Sequence, residues 1–135
     1  PTAAVGNQGS PQRRPRVSGR VRLARLQRLA RRFPQAAADE KLFKGISLWR
    51  AGQPQRALPL LRASIRVATE LGMRNETAIA EYWLGCFARS PAGRALVPEG
   101  AEPHFQSALA TFMQLKAAGM VARIHRARDA SPDVL

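Results

Sequence analysis

Two histidines, one cysteine and nine carboxylates are all that this 135-residue sequence offers for acid–base, nucleophilic or metal chemistry. His104 and His125 stand far apart, Cys86 is remote from both, and neither an HExxH nor a CxxC frame occurs. Gly93 and Gly100 lack the spacing of a phosphate-cradling loop, in which a second glycine is followed by Lys and then Ser or Thr. Cys86 directly follows Gly85, a small residue at a packing point, so a buried, inert thiol is expected. Asp39 and Glu40 fall at the start of a helix, where carboxylates complement the positive helix end. Glu76 and Glu81 lie among basic neighbours and are read as a solvated face. Each histidine is read as a surface or helix-terminal residue. No catalytic residue, metal site or cofactor is expected.

Charge is the stronger signal. Lys and Arg number 22 against 9 acidic residues, a formal charge of +13, and the first 38 residues hold nine arginines and no acid. Within that stretch Leu23, Leu26, Ala30 and Phe33 share one helical face, while Arg22, Arg25, Arg28 and Arg32 surround it. Such a helix can dock on an acidic protein groove, an anionic membrane or a nucleic-acid backbone. It can equally cap a helical domain, with the arginines serving solubility. Base recognition wants amides or aromatics between the arginines, and Gln27 is the one amide there. Trp49, Tyr82 and Trp83 are the large amphipathic aromatics; at helical spacing, core packing and ligand contact both remain open for them.

These residues must be positioned by helices. Ala, Leu and Arg dominate and aromatics are only 6% of the chain, a balance that favours helix over an all-β sandwich. A chain of this length buries about two thirds of its unfolded surface, enough for a core without disulfides or metals. No apolar run approaches the ~18 residues of a membrane span. Residues 1–18, rich in Pro, Gly, Ser and Gln, read as a disordered linker or tail, and residues 130–135 as a flexible tail. The start at Pro1 reads as a piece of a longer protein. Between them, period and punctuation predict six helices: Gly19–Phe33, Ala36–Ala51, Pro54–Leu71, Asn75 as cap for a helix to Ala88, Ala101–Ala117, and one through Val121, Ile124 and Ala127 after a break at Gly119. Ser90–Gly100 reads as loop.

The helices repeat. Gly45 and Gly85 are 40 residues apart; Ala57, Leu61, Ser64 and Leu71 recur 44 residues later as Ala101, Phe105, Ala108 and Leu115, the extra four falling in the Pro/Gly loop. Gly72-Met73 is matched with Gly119-Met120. The unit is a helix with a mid-helix glycine, a turn, and a helix with small residues at its start and seven positions on, which lets two antiparallel helices approach closely. With Trp83-Leu84-Gly85, Ala101-Glu102, Ala108-Leu109 and Glu70-Leu71-Gly72, this pattern resembles the tetratricopeptide repeat. Lys44 stands where that family has Leu before the glycine.

From about Leu23 to Arg128 the chain is similar to the C-terminal helical repeats of large bacterial signalling proteins, where such repeats follow an ATPase, kinase or nucleotide-cyclase module. The resemblance implies an all-α array of antiparallel helical hairpins, five to six helices over residues 19–129, acting as a non-catalytic interaction or regulatory scaffold. It also implies a concave groove lined by Trp49, Arg50, Tyr82 and Arg89, with Trp83 packed inside. The expected partner is protein: upstream domains of the same chain, a second copy, or an acidic protein docked where Leu23, Leu26 and Phe33 supply apolar area. A nucleic-acid-binding module built on the Arg-rich helix is the alternative. With a single thiol and no address signal, the expected location is cytoplasmic.

Overall fold

The computed structural model describes residues 19–32 and 36–130, and among them the only regular elements are six helices. They are α1 (Gly19–Arg32), α2 (Ala36–Arg50), α3 (Pro54–Glu70), α4 (Arg74–Arg89), α5 (Glu102–Gln114) and α6 (Ala118–Asp129). Each packs on its neighbours in chain order, and α2 also touches α4. Connections of three residues between α2 and α3, α3 and α4, and α5 and α6 force the chain to reverse, so these pairs are helical hairpins. The chain is therefore all-α. Of the expected segments, residues 1–18 and, of the tail 130–135, all but Ala130 lie outside the described residues, as does Phe33.

Two glycines set how closely the helices meet. A Cβ added at Gly45 would lie 2.9 Å from Cδ2 of Leu61, and one added at Gly85 would lie 2.6 Å from Cε1 of Phe105. Leu61 and Phe105 are the pair related by the 44-residue repeat, so the same contact is built twice, α2 on α3 and α4 on α5. Small residues continue both crossings: Ala57 and Ser64 on α3 and Ala108 on α5 are fully buried. Ser64, a polar residue in this seam, satisfies its hydroxyl by donating to the Ala38 carbonyl at 2.8 Å.

The turns repeat as well, in a register that corrects one expectation. After α3, the amide of Gly72 donates to Thr69 and that of Met73 to Ala68, the paired bonds of a Schellman motif, with Gly72 at φ +68°. After α5, the amides of Lys116 and Ala117 donate to Met113 and Phe112, and Lys116 holds φ +56°. Lys116, not Gly119, is thus the counterpart of Gly72, 44 residues on. Gly119 lies inside the first turn of α6, which begins at Ala118. For the same reason α4 starts at Arg74 with Met73 as its cap, and Asn75 lies within the helix instead of capping it.

The core forms two clusters sharing α4, the helix with the most buried residues. One gathers Ala57, Leu61, Leu84, Phe87, Ala88 and Val97; the other gathers Ala78, Tyr82, Cys86, Phe105, Phe112 and Ile124. Trp49 packs against both, edge-on to Phe87 at 5.4 Å between ring centroids. The loop between α4 and α5 is ordered by Ser90, whose hydroxyl donates to the Phe87 carbonyl at 2.6 Å and accepts from the Gly93 amide at 3.1 Å.

The two kinds of glycine predict opposite signs for one substitution. Gly85→Ala drives a methyl into the Phe105 ring and should destabilise by about 1–3 kcal/mol. Gly119→Ala meets nothing within 4 Å and should stabilise by about 0.4–1 kcal/mol through the unfolded chain. Urea midpoints of the two variants check this; equal shifts would mean that the close crossing is wrong.

Candidate functional site

The side of α2 and α4 turned away from α3 and α5 carries two adjoining recesses. One, of 260 Å³, is lined by Trp49, Arg50, Trp83 and Cys86. The other, of 440 Å³, is lined by Gly19 and Arg22 of α1, by Phe43, Ile46, Ser47 and Arg50 of α2, and by Trp83 of α4. Arg50 and Trp83 belong to both, so the two form one groove crossing three helices. Arg22 stands over the Phe43 ring at 5.6 Å, and Arg123 of α6 stands over Trp83 at 5.7 Å and Tyr82 at 5.1 Å, donating from Nε to the Tyr82 hydroxyl at 3.2 Å. Guanidinium groups over aromatic faces stay charged and are held in place by the ring quadrupoles.

The helical period explains which aromatic faces the groove. Tyr82 lies four residues after Ala78, three before Gly85 and four before Cys86, on the stripe that α4 buries, and is only 6% exposed. Trp83, about 100° further round, emerges half-buried at the groove. This reverses the orientation expected for the two residues. Trp49 and Arg50 line the groove, with Arg50 exposed. Arg89 is half-buried and turned to the end of α6: its Nη2 donates to the Ala130 carbonyl, and its buried Nε has no partner among the described residues. Arg22 faces the groove, whereas Arg25 and Arg28 are exposed on α1 outside it. Arg32 ends α1, and its side chain lies outside the description. Leu23 and Leu26 are half-buried, so part of the apolar stripe expected to dock a partner is already covered within the chain.

Two contributors were missed. Phe43 precedes Gly45 by two residues as Trp83 precedes Gly85, so the 40-residue repeat carried its signal. Arg123 carries none: it arrives through the hairpin of α5 and α6. A shallow apolar recess of 490 Å³ between α5 and α6, lined by Phe112, Met113, Ala117 and Val121 among others, is open, with Met113 62% exposed.

Cys86 is buried, and desolvation pushes its thiol up, as suits an inert packing residue. His104 lies in the first turn of α5, the helix-terminal position of the two expected for it, and is half-buried. Its Nδ1 lies 2.6 Å from a Glu81 carboxylate oxygen and its Nε2 2.8 Å from Glu99, which also takes two bonds from Arg62 at 2.8 and 3.1 Å. The network ties α3, the loop and α5 to α4, and Glu81 is a structural partner in place of a solvated charge. The Glu81 and Glu99 carboxylates raise the His104 pKa against the opposing effect of burial, and the Arg62 guanidinium first, with His104 beside it, holds Glu99 at about 2. Asp39 lies in the first turn of α2 with its side chain exposed, and its pKa is raised by partial desolvation and by the charge of Glu76. No group of three or more metal-ligating side chains occurs among the described residues.

No protein-family model, curated protein or solved structure matches the chain. No helix among the described residues is long and apolar enough to cross a membrane.

Because the folded pKa of His104 is raised, its contribution is fully present below the ordinary value of 6.5 and is lost as pH rises through the folded pKa. Glu99 remains charged down to about 2, so it keeps its half of the contact throughout that range. The stability advantage of the native chain over His104→Gln should therefore be largest near pH 5.5 and shrink toward pH 9, read from paired urea midpoints. An advantage that grows with pH would contradict the Glu81–His104–Glu99 geometry.

Proposed function

We propose that this chain is a non-catalytic protein-interaction module of the tetratricopeptide-like kind, the C-terminal part of a larger cytoplasmic signalling protein, which receives a peptide segment in the groove across α1, α2 and α4. The observation that carries this reading is that both tryptophans of the chain line one open groove beside Arg22 and Arg50. Half-buried indoles offer a large apolar face with one N–H donor, the combination favoured where one chain recognises another. Two helix pairs built on the same glycine crossing support the repeat reading, because stacked pairs expose such a face at every unit. The reducing compartment is supported by the lone cysteine, which is free and buried.

The alternative, a nucleic-acid module on α1, is favoured by one observation: Arg25 and Arg28 are exposed and line neither recess. The two readings separate on salt and on site. A peptide-display selection on the whole chain should return ligands whose binding is lost in Trp83→Ala. Duplex DNA binding should be weak at physiological salt, with affinity that falls as salt rises with a log–log slope near −0.9 per phosphate neutralised. Tight DNA binding at physiological salt that Arg25→Ala with Arg28→Ala abolishes, and no selected peptide sensitive to Trp83, would replace the interaction reading with the nucleic-acid one.

A further inference from the structure

We propose that the groove selects an acidic peptide segment that carries an aromatic or large apolar side chain, seated with that side chain between Trp49 and Trp83 and its carboxylates against Arg50, Arg22 and Arg123. The inference rests on the interaction reading above and adds the chemistry of the ligand. Its ground is the distribution of charge around the groove. Arg50 borders both recesses and Arg22 lines one of them from α1, while Arg123 of α6 is not on the lining but stands over the Trp83 ring that is, so cations from three helices surround one aromatic site.

The carboxylates within reach are placed elsewhere. Glu81 and Glu99 are held by His104 and Arg62, and Glu102 by Arg128. Asp39 and Glu76 lie near the N-terminal ends of α2 and α4, and Asp39 is 11 residues, or about 16 Å along the helix, from Arg50. Among the described residues no carboxylate lines either recess, whereas Arg22 and Arg50 do, so the lining is cationic. The chain as a whole carries +13, so a basic or neutral segment gains nothing from the long-range field, whereas an acidic one is drawn in. The recess between the indoles is apolar on Trp49, Trp83 and Cys86, so a purely ionic ligand leaves it unfilled, and an apolar side chain is needed to displace its water. Among the described residues, Ser47 is the one hydroxyl or amide side chain on the lining, too few groups to read base edges.

Both tryptophans of the chain line this groove, so intrinsic tryptophan fluorescence reports a ligand seated in it. The full chain is titrated with a decapeptide of alternating Glu and Gly around one Phe, with the same peptide carrying Lys for Glu, with the same peptide carrying Ala for Phe, and with oligothymidylate. A saturable emission change is expected with the Glu–Phe peptide, weakened about tenfold by the change to Ala, and absent with the Lys peptide. Arg50→Glu should weaken binding about tenfold, while Arg66→Glu, the same charge change on an exposed position of α3, should alter it less than about twofold. Arg50 is exposed, so its variant is expected to fold, and unchanged helicity confirms it. Equal binding of the Lys peptide, or equal effects of the two Arg variants, overturns the acidic preference while leaving the peptide reading standing. No saturable change with any peptide overturns both. Tighter binding of oligothymidylate than of the Glu–Phe peptide overturns the proposal in favour of single-stranded nucleic acid.

Discussion

The structure depends on two helix crossings from which a side chain has been removed. At Gly45 and Gly85 the absent Cβ lets Leu61 and Phe105 sit directly on the backbone of the facing helix. Interiors are packed nearly as densely as organic crystals, so a crossing closed by a few tenths of an ångström fixes the positions of whole helices. α4 shows the consequence: it carries Gly85, contributes Leu84 and Phe87 to one cluster and Tyr82 and Cys86 to the other, and cannot shift without disturbing both. Because α2 and α4 are each clamped to their partner on one side, their opposite sides lie next to each other as a groove. Trp49 and Trp83 meet there as a by-product of the crossing.

Electrostatics divides the molecule in the same way. On the side of α3, the loop and α5, acids and bases neutralise one another through Arg62, Glu99, His104 and Glu81. Exposed pairs of this kind contribute little each, and the bond between Arg62 and Glu99 is partly exposed. The Glu81–His104 contact is more sheltered, with side chains 15% and 13% exposed, and anchors the loop that carries the four extra residues of the second unit. On the groove side the cations stack on aromatic rings instead of pairing with carboxylates. A cation held over a ring keeps its charge available to a ligand, whereas one paired with a carboxylate does not.

Much of this was legible in the residues. The helices follow from period and punctuation, and the glycine pair with its Leu61 and Phe105 counterparts follows from the repeat. The orientation of Tyr82 and Trp83 was also written there, since Gly85 marks the inward face of α4 and Tyr82 lies three residues before it. The match of Gly119 to Gly72 failed because residue type was taken for conformation: the left-handed position is occupied by Lys116, which resembles no turn signal. His104, Glu81 and Glu99 could not be joined from spacing, because their contact is made across a loop whose path is set by Ser90 and the burial of Val97. Arg123 was invisible for the same reason, its place over Trp83 being decided by the long loop and by α5, which intervene.

The central claim, that glycine crossings bring both tryptophans into one cationic groove, is tested most directly by collisional quenching of tryptophan emission with ions of opposite sign. Half-buried indoles beside Arg22, Arg50 and Arg123 should be quenched much more efficiently by iodide than by caesium. Added inert salt should narrow the difference by screening the field. Equal quenching by the two ions, or protection of both tryptophans from each, would contradict the account.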